Sequence, residues 1–200
     1  MMKNALYRSL IWLSLFLIGC KEDPCKDREY QPINPVIADH IPYSDGQTVK
    51  FKTSDGGNFT AIAERVSEVN RPDAPLICQD YLYVTLKTGG SLFAEYVERG
   101  SVVKDNILQL SLYTLRTGSG DGLFISVSDD GIMYSEMPST QSVQHTTLEI
   151  DGISYNEVLE ITYDVESFPK DEDLTQIFYN KTHGIIQYTT YNGLVTTRVD

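Results

Sequence analysis

Three histidines are the candidate catalytic bases of this 200-residue chain: His40, His145 and His183. A serine-type hydrolase needs such a base beside a nucleophile, together with a third group that orients the base. Ser119 lies between two glycines, but its surroundings do not form the Gly-x-Ser-x-Gly motif of a nucleophile elbow. Local motifs therefore predict no catalytic residue, and only a hydrolase site assembled from sequence-distant residues stays open.

Acidic side chains suggest two other kinds of chemistry. A calcium ion takes six to eight oxygen ligands, which Asp121, Asp129 and Asp130 or the acidic run 171–173 could supply in part. Neither group has the spacing of a twelve-residue calcium loop, and the chain has no His-x-His, His-Glu-x-x-His or cysteine cluster. The sequence predicts no metal centre and no cofactor, while a calcium site stays open.

A glycosidase would need a pair of carboxyl groups, one of them in an apolar pocket that raises its pKa. Glu160, Asp164 and Glu166 share one face of a predicted strand. Alternate residues of any exposed strand do the same. We therefore interpret these acids as a solvated face.

Three tyrosines form the candidate binding face: Tyr81, Tyr83 and Tyr113. They alternate with leucines, so we expect them on the side of the sheet opposite the core. Exposed aromatic rings can stack on sugars or pack against proteins, which predicts a glycan or an envelope protein as the partner. The one tryptophan of the chain, Trp12, lies in the apolar N-terminal segment and cannot contribute to this face.

These residues must be positioned by strands, because apolar residues alternate with polar ones along most of the chain. The alternation is clear at 82–86, 108–112 and 159–165, and turn-forming pairs such as Asp151-Gly152 separate the segments. No segment keeps a 3.6-residue period. The pattern predicts an all-β fold, an antiparallel meander of about ten to twelve strands that forms a β-sandwich or a partly open barrel.

The N-terminus has the order of a secretory signal. Residues 1–8 carry two positive charges and no acid, and residues 9–18 are almost wholly apolar. This apolar run is shorter than the roughly 20 residues that a membrane-spanning helix needs. We therefore predict a signal peptide at residues 1–19.

The end of this segment, Leu17-Ile18-Gly19-Cys20, resembles the lipobox of bacterial lipoproteins. The resemblance implies cleavage before Cys20, lipidation of its sulfur and acylation of its new amine. Several acyl chains, at about 0.8 kcal/mol per buried CH₂ group, would anchor the protein firmly in a membrane.

The next residues, Lys21-Glu22-Asp23, resemble the export signal of surface lipoproteins in Bacteroidota. This resemblance implies display on the outer face of the outer membrane. Residues 177–193 are similar to a C-terminal hairpin of uncharacterised β-rich lipoproteins of that phylum, which implies the same class and location but no activity.

The three cysteines are consistent with this predicted location. If Cys20 carries lipid, Cys25 and Cys78 remain as an even pair, which an oxidising compartment could join as a disulfide. Two unpaired thiols are the alternative. We expect the disulfide, which would hold the start of the tether against the body.

Half of the eight prolines fall between residues 24 and 42, which indicates an extended segment. We predict a lipidated, proline-rich tether at residues 20–43 and one all-β domain at residues 44–200. Apolar residues in the second half of the tether suggest that this half lies against the domain.

The chain is strongly acidic, with 16 basic and 28 acidic residues and a net charge of −12. Removal of the signal peptide, whose only charges are Lys3 and Arg8, changes this to −14. Such a surface repels phosphate backbones and excludes nucleic acid as a partner. We expect a lipid-anchored outer-membrane protein that binds a ligand or scaffolds the envelope. The hydrolase and a structural accessory subunit of an outer-membrane complex remain alternatives.

Overall fold

The computed structural model describes residues 25–33, 35–74, 77–89, 91–99, 107–113, 120–127, 133–135, 139–164, 170–171 and 173–199. Within these residues the chain forms β-strands and one single-turn helix, α1 (Pro35–Ala38), which confirms the all-β prediction. No helix in these ranges is long and apolar enough to span a membrane. The strands are β1 (Glu29–Gln31), β2 (Thr48–Thr53), β3 (Asn58–Ala74), β4 (Ile77–Thr88), β5 (Ser91–Arg99), β6 (Ile107–Tyr113), β7 (Gly120–Val127), β8 (Met133–Ser135), β9 (Thr140–Ile150), β10 (Ile153–Tyr163), β11 (Leu174–Asn180), β12 (Gly184–Thr190) and β13 (Val195–Val199).

All of the strands described belong to a single sheet, in the order β8-β7-β6-β5-β4-β3-β2-β13-β12-β11-β10-β9. Neighbours in this order are antiparallel, as the meander predicted. Strand β1 lies outside the order and pairs in parallel with residues 77–79 of β4. Since β5 pairs with residues 81–88 of β4, β1 continues the line of β5 along the same edge.

The predicted sandwich and the predicted count of ten to twelve strands are not confirmed, because the described residues form thirteen strands in one sheet. In a β-sandwich the strands divide into two sheets that are not joined by a continuous hydrogen-bonded ladder. Here the last strand, β13, pairs with β2 from Thr196–Thr53 to Val199–Lys50, and this ladder joins the two halves of the meander.

The sheet curls until its first and last strands touch. The backbone N–H of Ser135 in β8 donates to the hydroxyl of Ser142 in β9 at 3.2 Å, and the hydroxyl groups of Ser135 and Thr140 are 2.6 Å apart. These contacts, which involve side chains, bring the two edge strands β8 and β9 together.

The inner face of the curled sheet is filled by apolar side chains. They include the residues that the two-residue period placed on one face of β4 and β10, together with side chains from other strands. The core consists of Ile41, Tyr43, Val49, Phe51, Ala61, Ala63, Leu82, Val84, Leu86, Ile125, Val127, Met133, Leu159, Ile161, Leu174, Ile177, Tyr179, Ile185 and Tyr188.

Two of these core residues, Ile41 and Tyr43, precede the first long strands and belong to the predicted tether. Residues 40–45, here named the strap, run along β3 and are held there by Arg65. The Arg65 guanidinium donates to the carbonyls of Ile41 at 3.1 Å and Tyr43 at 3.0 Å, and the Arg65 N–H donates to Asp45 at 3.1 Å. The strap therefore forms part of the packed body.

Cys25 and Cys78 are joined by a disulfide, with their Cα atoms 5.6 Å apart. The bond closes a loop over a sequence separation of 53 residues. A loop of this length corresponds to about 4 kcal/mol of stabilisation in the chain-entropy model. Together with the β1–β4 pairing, the disulfide fixes the start of the described chain to the beginning of β4.

Tyr43 lies at the centre of the inner core with 1% of its surface exposed. Its hydroxyl accepts a hydrogen bond from the backbone N–H of Ile185 at 3.0 Å. Beside it, the Tyr179 hydroxyl donates to the carbonyl of His40 in the strap. The buried tyrosines thus join the strap to β11 and β12.

Gly184 makes room for this arrangement. Its φ is +74°, and a Cβ atom there would overlap the hydroxyl and ring of Tyr43. Both the backbone conformation and the close approach of Tyr43 therefore require glycine.

We expect Gly184→Ala to lower the free energy of unfolding by about 2–4 kcal/mol, because a left-handed backbone strain adds to overpacking against Tyr43. Gly193→Ala is the matched control: its φ is +80°, but nothing lies within 4 Å of the added Cβ. The control should cost only about 1 kcal/mol. Urea unfolding of both variants measures the difference, and equal losses would contradict the packing argument.

Burial raises the pKa of the Tyr179 hydroxyl well above its usual range, and the neighbouring Tyr43 adds to the effect. In the unfolded chain a tyrosine ionises near pH 10. The stability contributed by neutral Tyr179 is therefore present below about pH 10 and is lost as the pH rises further.

Above about pH 10, we expect the free energy of unfolding to fall less steeply with rising pH in Tyr179→Phe than in the wild type. The reason is that only the wild type exposes this ionisable group on unfolding. The variant should also lose about 1 kcal/mol at neutral pH with the hydrogen bond to His40. Chemical unfolding at a series of alkaline pH values tests this. Some pH dependence should persist because burial also raises the pKa of Tyr188. If the free energy of unfolding depended on pH equally in the two proteins above about pH 10, the raised pKa assigned to Tyr179 would be refuted.

Candidate functional site

The three tyrosines of the predicted binding face occupy separate positions in the sheet. Tyr81 and Tyr83 lie two residues apart on β4, and the register places Tyr83 beside Val97 of β5 and Val97 beside Gln109 of β6. Tyr113 lies four residues beyond Gln109, which places its backbone about 13 Å further along the sheet and two strands away. The tyrosine binding face stays a prediction.

The three histidines also lie apart. His40 is buried in the strap with Nδ1 2.6 Å from the carbonyl of Val36. His183 ends the β11–β12 turn, and its ring lies edge-on to Tyr155 with the ring centroids 5.2 Å apart. His145 is on β9. Ser119, the nucleophile candidate, lies outside the described residues.

His145 belongs to a polar row across β9, β10 and β11. Its Nε2 is 2.7 Å from one carboxylate oxygen of Glu160, and the Gln176 amide donates to the other oxygen at 2.7 Å. This arrangement orients an imidazole as a catalytic base would be oriented. Among the described residues, however, His145 forms no hydrogen bond to a Ser, Thr or Cys side chain, so the row does not pair this imidazole with a hydroxyl or thiol nucleophile.

A second, smaller apolar core lies on the outer face of the sheet. It consists of Ile150, Tyr155 and Val158 from the β9–β10 hairpin and Ile186 from β12, with Leu148 and Phe178 packed against it. Each buried side chain of this size stabilises the fold by about 1.5–3 kcal/mol. The end of the β9–β10 hairpin is therefore held against the outside of β11 and β12.

Two irregularities in the strands make this packing possible. Glu157 has a φ of +53°, and the β9–β10 ladder is interrupted there, so Tyr155 and Val158 lie on the same side. In β12 the register shifts at Ile186, so Ile185 and Tyr188 both enter the inner core although they are three residues apart, while Ile186 enters the outer core. Strict alternation would instead place Tyr155 and Val158 on opposite faces of β10, and Ile185 and Tyr188 on opposite faces of β12.

The tip of the hairpin is the predicted Asp151-Gly152 turn, and both residues have positive φ, as a tight two-residue hairpin turn requires. The folded-over tip carries the Asp151 carboxylate to the ammonium group of Lys52 on β2. Both side chains are 46% exposed, so the ion pair lies at the surface and contributes little stability.

A groove of about 380 Å³ opens beside this ion pair, between the hairpin tip and strands β2, β12 and β13. Six of its seven lining residues are polar or charged. They are Lys52, Thr53, Ser54, Asp151, Gln187, Val195 and Thr197. We take this outer groove as the candidate functional site.

The polar groups that line the outer groove use only part of their hydrogen-bonding capacity on one another. The amide of Gln187 donates to the hydroxyl of Thr197 at 2.8 Å, which leaves the Gln187 carbonyl oxygen as an acceptor and the Thr197 hydroxyl hydrogen as a donor. The Ser54 hydroxyl accepts from the N–H of Val195 at 3.1 Å and can still donate. The groove thus offers both donors and acceptors.

The calcium candidates are not assembled in the part of the chain that is described. No group of three His, Cys, Asp or Glu side chains there could hold a metal ion. Asp173 accepts a hydrogen bond from the N–H of Lys170 at 2.7 Å and so stabilises a turn. Asp129, Asp130 and Glu172 lie outside the described residues.

The lipidation site Cys20 and the export signal at residues 21–23 also lie outside the described residues, and they stay predictions. No protein family, no curated protein and no solved structure matches this chain.

Proposed function

We propose that this protein is a lipid-anchored outer-membrane protein, displayed on the cell surface, that acts by binding a ligand at the outer groove. The membrane anchor is the lipidated Cys20 implied by the lipobox. The observation that carries the proposal is the separation between the anchored end of the sheet and the groove.

The disulfide defines the anchored end. Four residues separate Cys20 from Cys25, so their Cα atoms are at most about 18 Å apart even when the segment is fully extended. Because Cys25 is bonded to Cys78, the beginning of β4 must stay within this short reach of the lipid. The acyl chains therefore hold the sheet by this end.

The long strand β3 connects the anchored end to the groove. Pro72 of β3 pairs with Cys78, and Asn58 at the start of β3 pairs with Lys52 in the groove. These two positions are 14 residues apart, which corresponds to about 45 Å of strand. A protein held at Cys78 would present the groove away from the membrane.

Two further observations favour binding over hydrolysis. The inside of the sheet is filled by side chains such as Tyr43, Phe51 and Tyr179, so no deep cavity forms where those residues pack. The groove is open and its lining includes no histidine. An open groove lined by hydrogen-bonding side chains lets a ligand enter and leave from solvent.

We expect the two ends of the sheet to lie at different distances from the membrane when the lipidated protein is reconstituted in vesicles. A dye on Lys26→Cys, near the disulfide, should transfer energy efficiently to a short-range acceptor on lipid headgroups. A dye on Asn58→Cys, near the groove, should transfer little, because about 45 Å of strand separates the two ends.

Cys20→Ala is the control, since it removes the lipid site and should abolish transfer from both positions. Equal transfer from Lys26→Cys and Asn58→Cys in the anchored protein would contradict the orientation. Membrane binding that persists in Cys20→Ala would contradict the anchor.

We expect protease added to whole cells to digest the wild-type protein. Replacement of Lys21, Glu22 and Asp23 by alanine should protect it, because the export signal would be lost while Cys20 remains. Immunoblots of intact and lysed cells measure the exposed fraction. Unchanged digestion of the triple variant on intact cells would show that these residues do not direct display.

A further inference from the structure

We infer that the outer groove binds a neutral saccharide unit through the paired side chains of Lys52 and Asp151. The inference rests on the proposed binding function and adds the chemical class of the ligand. It places the predicted glycan contact at the groove, on a surface that the tyrosine pattern did not indicate.

The ion pair supplies complementary groups for adjacent hydroxyls. An ammonium group has three N–H donors and a carboxylate has about four acceptor positions, so the contact between Lys52 and Asp151 leaves groups of both kinds unused. One hydroxyl of a vicinal diol can accept from Lys52 while its neighbour donates to Asp151. The diol thus joins the pair without separating it.

The strands beside Lys52 continue this pattern with neutral groups, because Lys52 is paired with Thr197 of β13 and Thr197 with Gln187 of β12. Gln187 offers a carbonyl oxygen, and Thr197, which is 6% exposed, offers a hydroxyl hydrogen held in place by the Gln187 amide. A sugar ring carries hydroxyls on several sides and could use the ion pair together with these neutral groups. A ligand with only donors or only acceptors would satisfy half of these groups.

Charge argues against ionic ligands. The unit charges of Lys52 and Asp151 cancel, so the groove has no excess charge of either sign among its lining residues. The mature chain has a net charge of −14 if the signal peptide is removed, and this repels anionic sugars at long range. A cation would have to compete with Lys52 for Asp151.

The dimensions of the groove fit one or two rings of a longer chain. Its volume of about 380 Å³ lies at the low end of the range of roughly 300–1,000 Å³ for small-molecule sites. The groove is open, so a saccharide could enter in the middle of a chain. Since no aromatic side chain is among the lining residues, we expect a dissociation constant on the order of 1 mM for a single ring.

The test is an NMR titration of the folded protein with the methyl glycosides of glucose, galactose and mannose. At least one glycoside should saturate and shift the backbone amides of Gly152, Gln187 and Thr197. Lys52→Gln and Asp151→Asn should each weaken this binding at least tenfold. Asparagine tolerates positive φ, so Asp151→Asn removes the charge while the turn is kept.

Lys87→Gln is the matched control, because it breaks a similarly exposed ion pair with Glu64 outside the groove, and it should bind like the wild type. Absence of binding by all three glycosides, binding that Asp151→Asn leaves unchanged, or binding only of acidic sugars added as a fourth probe would overturn the inference. None of these results bears on the anchor or the orientation, which the vesicle experiment decides separately.

Discussion

The insertion of Tyr43 into the curled sheet is the contact on which the rest of the structure depends. A curled antiparallel sheet leaves a space along its axis, and the strap fills it with a side chain that contacts β12 through Ile185 and Gly184. Arg65 fixes the strap from the other side through the carbonyls of Ile41 and Tyr43. The fold is therefore completed by a segment that contributes no long strand, and its interior is unavailable for a ligand where this side chain packs.

Because side chains fill the inside of the sheet, the proposed recognition site lies on the outer face, where the β9–β10 hairpin forms one side of a groove that a plain sheet would lack. The outer core around Ile186 holds the hairpin down, and the tip then lies beside β2. The unfavourable backbone angle of Glu157 is the local cost of this shape. Rigid strands thus position Lys52, Gln187 and Thr197, while one folded hairpin positions Asp151.

The sequence predicted the features that depend on local patterns. Alternation located the inner residues of β4 and β10, Asp151-Gly152 marked a tight turn, and an even pair of cysteines remained once Cys20 was set aside. It did not predict features that depend on a break in the two-residue alternation of a strand. Nothing in the residue types around Glu157 or Ile186 signals a left-handed φ or a register shift, so the outer core and the outer groove were not foreseen. The prolines before residue 43 indicated a tether, and the apolar residues of its second half indicated contact with the domain, but the close packing of Tyr43 against Gly184 could not be read from the sequence.

The pairing of β13 with β2 also has a consequence for the order in which the strands can pair. Lys50 meets Val199, so this ladder joins positions that are 149 residues apart in the sequence. Contacts of such high sequence separation form late and slowly, whereas the hairpins between consecutive strands depend on local contacts. We therefore expect each half of the meander to pair its own strands first and the β2–β13 ladder to join the two halves afterwards.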